Sequence, residues 1–234
     1  MVQIELHVHT RFSKDSLLPL WVLYLVCKLK KIDCIAITDH NEIAGALKFQ
    51  RRFKHMAVIV GEEISSCEGE LIGLFLKEQI PAGMTAKDTI AKIKSQGGLV
   101  YLPHPSDGMR EKTVLPEPLI LNLRKDISVV ESFNGRTMDT LDIQNQKKIA
   151  NELVYSVSVA GSDAHTAFEL GRTFMRADSI PRNCDEFLSE MMRAEMIASP
   201  CIRLAHIVTK FAKGIKLLFK GDISSLFLKI FKVR

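Results

Sequence analysis

Short, continuous apolar runs alternate with helix-type segments along most of this chain, and no other feature constrains its fold as much. The opening run, with Val2, Ile4 and Leu6, leads into His7 and His9. Strands are predicted over 33–38, 57–60, 71–76, 99–102, 127–130 and 156–160, with a last short one at 172–175. Helices are predicted over 18–30, 44–53, 86–95, 139–151, 185–196 and 202–219, with a helical turn at 119–123. Pro19 is acceptable in the first turn of the first helix, and Gly97-Gly98 closes the third. Strands that are apolar without alternation are buried on both faces, which argues for a mostly parallel sheet or barrel covered by helices.

With 234 residues, 47% of them apolar and 25% charged, the chain can bury a substantial core and is not a disordered sequence. Its +5 formal charge is unevenly placed. Residues 201–234 hold eight Lys or Arg against Asp222 alone, whereas the first 200 hold 24 basic and 26 acidic side chains. The basic region has three readings: a solvated helix face, an electrostatic approach for a phosphorylated or nucleic acid substrate, or a surface that meets phospholipid. Near its end Leu226, Phe227, Leu228, Ile230 and Phe231 are expected to pack on the barrel or on a second subunit. Five scattered cysteines with no CxxC pair argue against a disulfide framework or a thiolate zinc site and for a reducing cytoplasm. No signal peptide is expected. Residues 17–29 are strongly apolar but too short to span a bilayer and are broken by Lys28, so a buried helix and no stable membrane insertion are expected.

Metal-type residues recur at the strand ends: His7 and His9, Asp39-His40, Glu63, His104, Glu131 with Asn134, then Asp163 and His165. Five of the seven histidines lie there, and only His55 and His206 do not. In a β/α barrel these ends converge on one rim, where active sites are built. Core packing gives no reason for such residues to recur there while the strand interiors stay apolar. Nitrogen and oxygen donors without thiolates suit zinc, manganese or iron. More than four candidates imply more than one ion, with Glu63 or Asp163 able to bridge. Such clusters stabilise negative charge on a transferring phosphoryl group, so phosphate ester hydrolysis is the first reaction to consider.

The segments His7-Val8-His9-Thr10, Thr38-Asp39-His40-Asn41, Gly61-Glu62-Glu63-Ile64-Ser65, His104-Pro105 and Gly161-Ser162-Asp163-Ala164-His165, with Glu169-Leu170-Gly171 after them, resemble the successive motifs of the PHP (polymerase and histidinol phosphatase) family. The resemblance runs in order over about residues 1–176. It implies an α/β fold, a distorted (β/α)7 TIM-like barrel, here with a C-terminal helical extension. It further implies two or three divalent metal ions (Mn, Fe or Zn) and phosphoesterase activity. Carried over residue by residue, His7, His9, Glu63 and Asp163 would hold one ion. Glu63 and His104 would hold a second, with Glu131 or Asn134 as its third ligand, and Asp15, His40 and His165 would hold another. Glu63, Asp163 and His165 are the candidate catalytic residues.

Arg110, Arg136 and Arg172 are the candidate phosphate-binding residues, since an arginine at a cleft rim grips phosphate in a bidentate way. Asp39 is read as structural, Cys67 as an ordinary small residue and His206 as a surface or packed side chain. The domain reading is a metal-dependent barrel over 1–184 and a basic, apolar helical extension over 185–234. The function read from the sequence is a phosphoesterase acting on a small phosphorylated metabolite or a nucleotide, with nucleic acid and the choice of monomer or homo-oligomer left open. A non-catalytic accessory metal-binding module is the alternative. C–N hydrolysis is disfavoured because no lysine stands at a strand end to form a carboxylated bridge.

Overall fold

The computed structural model describes residues 1–219 apart from 111 and 202. Nine strands form one sheet in the order β7-β6-β5-β4-β3-β2-β1-β8-β9. They are β1 (Val2–Val8), β2 (Cys34–Ile37), β3 (Ala57–Ser65), β4 (Glu70–Leu74), β5 (Leu99–Leu102), β6 (Val129–Asn134), β7 (Val157–Gly161), β8 (Phe174–Ala177) and β9 (Glu195–Ile197). The helices are α1 (Leu20–Lys30), α2 (Ala44–Arg52), α3 (Ala86–Ser95), α4 (Glu117–Leu123), α5 (Thr140–Glu152), α6 (Cys184–Arg193) and α7 (Arg203–Phe219). The sheet curls into a near-closed barrel. The amide of Ser162, just past β7, donates to Leu6 O at 2.9 Å, and the amide of His9 donates to Ala164 O at 2.8 Å.

The expectation of a mostly parallel sheet needs correction. Four pairings are parallel (β1·β2, β2·β3, β5·β6, β6·β7). Four are antiparallel (β3·β4, β4·β5, β1·β8, β8·β9). The turn between β3 and β4 is too short for a crossover, so β4 must run back along β3. The expected helix over 185–196 is also shorter. It stops at Arg193, Ala194 turns extended, and β9 then pairs with β8, where Arg176 Nη1 meets Glu195 Oε2 at 2.7 Å.

Alternation along each strand sorts the apolar residues into two layers. Ile4, Leu6, Ala36, Ile59, Ile72, Tyr101, Val129 and Val159 point into the barrel, where Phe187 and Met191 of α6 join them. Ile35, Ile37, Val60, Leu71, Val100 and Val130 point outward under α1–α5, against Leu23, Phe49, Ile93 and Ile149. Residues 184–197 therefore pair with the barrel's sheet and pack in its interior.

Helix α1 is buried only on one side: Leu23 and Cys27 are in the core, whereas Trp21 and Leu25 are exposed. This corrects the expectation of a buried helix. On α7 Ala205 and Ala212 are buried, while Val208 and Phe211 are exposed. Small residues let this helix lie close to the barrel rim. Among the described residues no helix is long and apolar enough to cross a membrane. The apolar residues 226–231, expected to pack on the barrel or a partner, lie outside the described residues.

Candidate metal centre

By strict alternation His7 would share the outward face of Glu5. Instead its φ is 61°, and the β1–β2 register shifts between Glu5 and Val8. This irregularity swings both histidines over the barrel mouth. His104 (φ 30°) and Asp163 (φ 52°) are held in the same left-handed region. Non-glycine residues there cost about 1–3 kcal/mol each, and such strain gathers at functional sites.

His7 Nδ1 is 2.7 Å from Glu131 Oε1 and His9 Nδ1 is 2.8 Å from Ser13 Oγ, so both rings present Nε2 to the centre. His7 Nε2 lies 3.4 Å from Glu63 Oε1 and 3.6 Å from Asp163 Oδ1. His9 Nε2 lies 3.3 Å from Glu63 Oε2 and 3.4 Å from Asp163 Oδ1. His104 Nε2 approaches Glu63 Oε1 at 3.1 Å, and His40 Nδ1 approaches Glu63 Oε2 at 2.9 Å. Asp15 faces His40 Nε2 at 3.4 Å and His165 Nε2 at 3.3 Å. The His9 and His165 rings stack with centroids 4.1 Å apart.

Among the described residues three groups have ligand atoms close enough to share an ion: His9, Asp15, His40 and His165; His7, His9 and Glu63; and His40, Glu63 and Glu70. They overlap in His9, His40 and Glu63, an arrangement suited to at least two neighbouring ions. The atoms fit that use. His7 Nε2, His9 Nε2, His40 Nδ1, Asp15 Oδ1 and Glu63 Oε2 are buried and make no hydrogen bond. Buried polar atoms are normally paired, so facing lone pairs at these distances are spare ligands.

The electrostatics agree. Burial pushes the Glu63 carboxyl up, but His40 and His7 more than offset it and hold it well below the usual range. Asp163 behaves alike, with Arg110 and His7 outweighing its burial. Burial pushes His40 down, yet Glu63 and Asp15 raise it to about 10. Burial also pushes His7 down, and Asp163, Glu131 and Glu63 reverse that. Burial wins at His9, whose neighbour His165 drives it further below its ordinary value. Ionised carboxylates thus draw protons onto imidazoles, a demand for positive charge that a divalent cation meets.

Two expected ligands sit behind the cluster. Glu131 Oε1 takes His7 Nδ1 and the Tyr101 hydroxyl (2.6 Å), while Oε2 takes the His104 amide (2.7 Å) and Asn134 Nδ2 (2.8 Å). Its oxygens are spent on positioning two histidines. Asn134 Oδ1 accepts the Arg136 amide at 2.9 Å. A Cβ on Gly161 would lie 1.9 Å from Glu131 Oε1, so the glycine makes room for this carboxylate. Asp39 accepts from the amide (2.6 Å) and hydroxyl (2.7 Å) of Thr10, clamping the end of β1 to β2. That is a structural role, as expected, and Gly45 leaves space for it, since a Cβ there would lie 2.1 Å from Asp39 Oδ2.

Of the three arginines, Arg110 Nη1 meets Asp163 Oδ2 at 2.6 Å. Arg136 is buried, donates from Nη2 to Thr209 Oγ1 of α7 at 3.0 Å, and faces Glu169. Both line the cleft over the cluster, a cavity of about 230 Å³. Arg172 does not come there. It is exposed, and its guanidinium donates to Pro200 O at 3.1 Å. This placement corrects the expectation that Arg172 binds phosphate.

Several cleft residues escape the sequence reading. Glu70 opens β4 and lies 3.6 Å from His40 Nδ1 and 3.9 Å from His104 Nε2. Its only signal is an acid just ahead of an apolar run. His206, Thr209, Lys210 and Lys213 line the cleft from α7, and their helical spacing was the available clue. Cys67, read as an ordinary residue, is exposed and donates to Gly83 O.

The chain is 38% identical over 181 residues to the uncharacterized protein MJ0417 of Methanocaldococcus jannaschii, covering 75% of this chain and 70% of that one. Over 116 residues it is 41% identical to the uncharacterized protein MJ1587 of the same organism, covering 44% and 68%. Among solved structures it resembles a two-domain protein from Bacteroides vulgatus containing a predicted PHP-like metal-dependent phosphoesterase (TM-score 0.64, 18% identity, 85% of this chain). The chain spans 65% of that protein's length. It also resembles PsfC from Pseudomonas syringae (TM-score 0.62, 17% identity, 93% of this chain and 98% of that one). The PHP domain pattern matches residues 5–226, and the chain belongs to the PHP domain family.

Proposed function

We propose that this chain is a metal-dependent phosphoesterase that hydrolyses phosphate mono- or diesters of a small metabolite, nucleotide or oligonucleotide. The observation that carries this reading is the set of buried ligand atoms without hydrogen bonds under a cleft lined by Lys14, Arg110, Arg136 and Lys210. The phosphoesterase description of the two-domain structural relative supports it.

His7, His9, Glu63 and Asp163 would hold one ion; Glu63, His104 and Glu70 a second; Asp15, His40 and His165 a third. The nitrogen and oxygen donor set favours Mn, Fe or Zn. Bound there, such ions polarise a phosphoryl oxygen and lower the pKa of a water. Glu63 serves two groups at once, with Oε1 toward His7 and His104 and Oε2 toward His9 and His40. Arg110 ties Asp163 to the cleft through one guanidinium N–H and keeps others for phosphate oxygens. Asp163 would serve catalysis as a ligand, its Oδ1 facing His7 and His9 Nε2 and its Oδ2 held by Arg110. His165 closes the cluster on the cleft side, and Lys14 and Lys210 draw in the anionic substrate. Helix α7 extends the barrel and forms one wall of the cleft. The cysteines are all free, which fits a reducing compartment such as the cytoplasm.

The test is hydrolysis of p-nitrophenyl phosphate and bis(p-nitrophenyl) phosphate with added Mn, Fe or Zn, alongside elemental analysis. Turnover is expected to vanish with a chelator and in His7→Ala, Glu63→Ala and Asp163→Ala. Chelator-insensitive turnover in those variants overturns the reading.

A further inference from the structure

Trp21, Leu25 and Leu29, one helical turn apart on α1, are 56%, 47% and 82% exposed, and Leu17 just before the helix is 43% exposed. They run along α1 and the residues just before it, while Leu23 and Cys27 on the other side of the helix lie in the core. A helix apolar on both sides normally has a partner on both sides, and an apolar ladder of this length marks a contact surface.

The surroundings of the ladder are cationic. At one end Trp21 borders a cavity of about 400 Å³ that it shares with Phe12, Arg11, Lys48, Arg51 and Arg52, and among the described residues no carboxylate lines it. Arg11 and Lys48 both stand over the Phe12 ring, at 5.6 and 4.7 Å from its centroid. At the other end Lys28 and Lys31 are exposed. The nearby Asp33 is exposed and accepts the Gln3 amide at 2.8 Å.

We propose that this face docks on an anionic lipid bilayer, with Trp21 and the leucines entering the headgroup boundary and the flanking Arg and Lys meeting lipid phosphates. A second copy of the chain fits poorly, because a two-fold contact would lay one basic rim on another. A single-stranded nucleic acid leaves Leu25 and Leu29 without a role, since base recognition needs aromatic platforms. The loop that carries Arg11 and Phe12 on this face carries Asp15 in the metal cluster three residues later. Docking therefore holds the cluster beside the lipid surface. Residues 220–234 repeat the composition, with Lys229, Lys232 and Arg234 among Leu226, Phe227 and Ile230, so the test must separate α1 from that segment.

The experiment is flotation of the full chain with vesicles of phosphatidylcholine alone or mixed with phosphatidylglycerol. Binding is expected only with the anionic vesicles and is expected to weaken as salt rises. The double variant Trp21→Ser/Leu25→Ser should bind about tenfold more weakly or worse. Arg51→Gln/Arg52→Gln should also lose binding, both variants keeping the parent's thermal melt. The proposal is overturned if neither vesicle is bound or if the α1 double variant floats as well as the parent. A dimer in sedimentation that Trp21→Ser dissociates would also overturn it, by assigning the face to a second copy.

Discussion

The two ends of this barrel are built from the same strands and do opposite things. At one end the interior is closed by Ile4, Leu6, Val129 and Val159 against Phe187 and Met191, all buried and apolar. At the other, five histidines and the carboxylates Glu63, Asp163 and Asp15 crowd together with several ligand atoms unpaired. Three of these rim residues sit at positive φ, whereas none of the six apolar ones does. The apolar end stabilises the fold, and the rim uses part of that stability to hold strained, mutually repelling groups in place.

The largest effect at the rim is expected at Glu63. Glu63→Ala removes a group common to two of the three ligand sets, so hydrolysis and metal content are expected to be lost. The fold should persist, because the apolar end is untouched. A thermal melt with elemental analysis checks both, and a variant that unfolds contradicts the division. Phe187→Ala is the mirror test. Phe187 is fully buried and meets the Phe75 ring edge-on at 5.8 Å. Its loss should cost about 3–5 kcal/mol by denaturant titration. The surviving folded fraction should keep its metal and its kcat; a kcat that falls with stability would show that the two ends are coupled.

The rim was legible in sequence because strand ends announce themselves: an apolar run, then His, Asp or Glu. That signal found His7, His9, His40, Glu63, His104, Asp163 and His165, which the fold brings together. It failed where the informative contact is long-range. Nothing local separates Glu131, whose oxygens face His7 and His104, from a ligand. Nothing local tells that Arg172 turns to Pro200 while Arg136 reaches α7. Glu70 was hidden because it starts a strand rather than ending one. The reversed β4 was missed because apolar content reports burial, not direction. The inward swing of His7 depends on a backbone irregularity that composition does not encode.

Glu131 marks how deep the rim extends into the barrel. Burial raises its carboxyl, but His7 above all holds it below its usual value, and burial beside Glu131 keeps the Tyr101 phenol protonated. Glu131 thus joins the apolar interior, through Tyr101, to the ligands. Glu131→Gln is expected to weaken metal affinity by about 10–100-fold, the usual effect of losing a carboxylate behind a ligand histidine. A complete loss of one ion, with the others retained, would instead make Glu131 a direct ligand. Metal titration followed by elemental analysis separates the two.

The smallest expected effect lies on α7, the rim's outer wall. Burial holds His206 below its ordinary value, and Arg136 and Arg110 add to this, against the opposing pull of Glu169 and Asp163. Its Nε2 is 3.5 Å from Cys201 Sγ. A histidine with a depressed folded value binds fewer protons in the folded state than in the unfolded one. Its stability contribution is therefore complete above the unfolded value of about 6.5 and is lost as pH falls from there toward the folded value. The seat of α7 should loosen in that window as the unfolded form gains protons first. Hydrogen exchange over residues 205–216, measured on either side of about 6.5, should show faster opening at the lower pH in the parent. His206→Gln, which carries no titrating group, should show much less of this change. An unchanged pH dependence in the variant would place the sensitivity elsewhere, in the carboxylates beneath the helix, and would make α7 part of the rim's electrostatics only through Arg136.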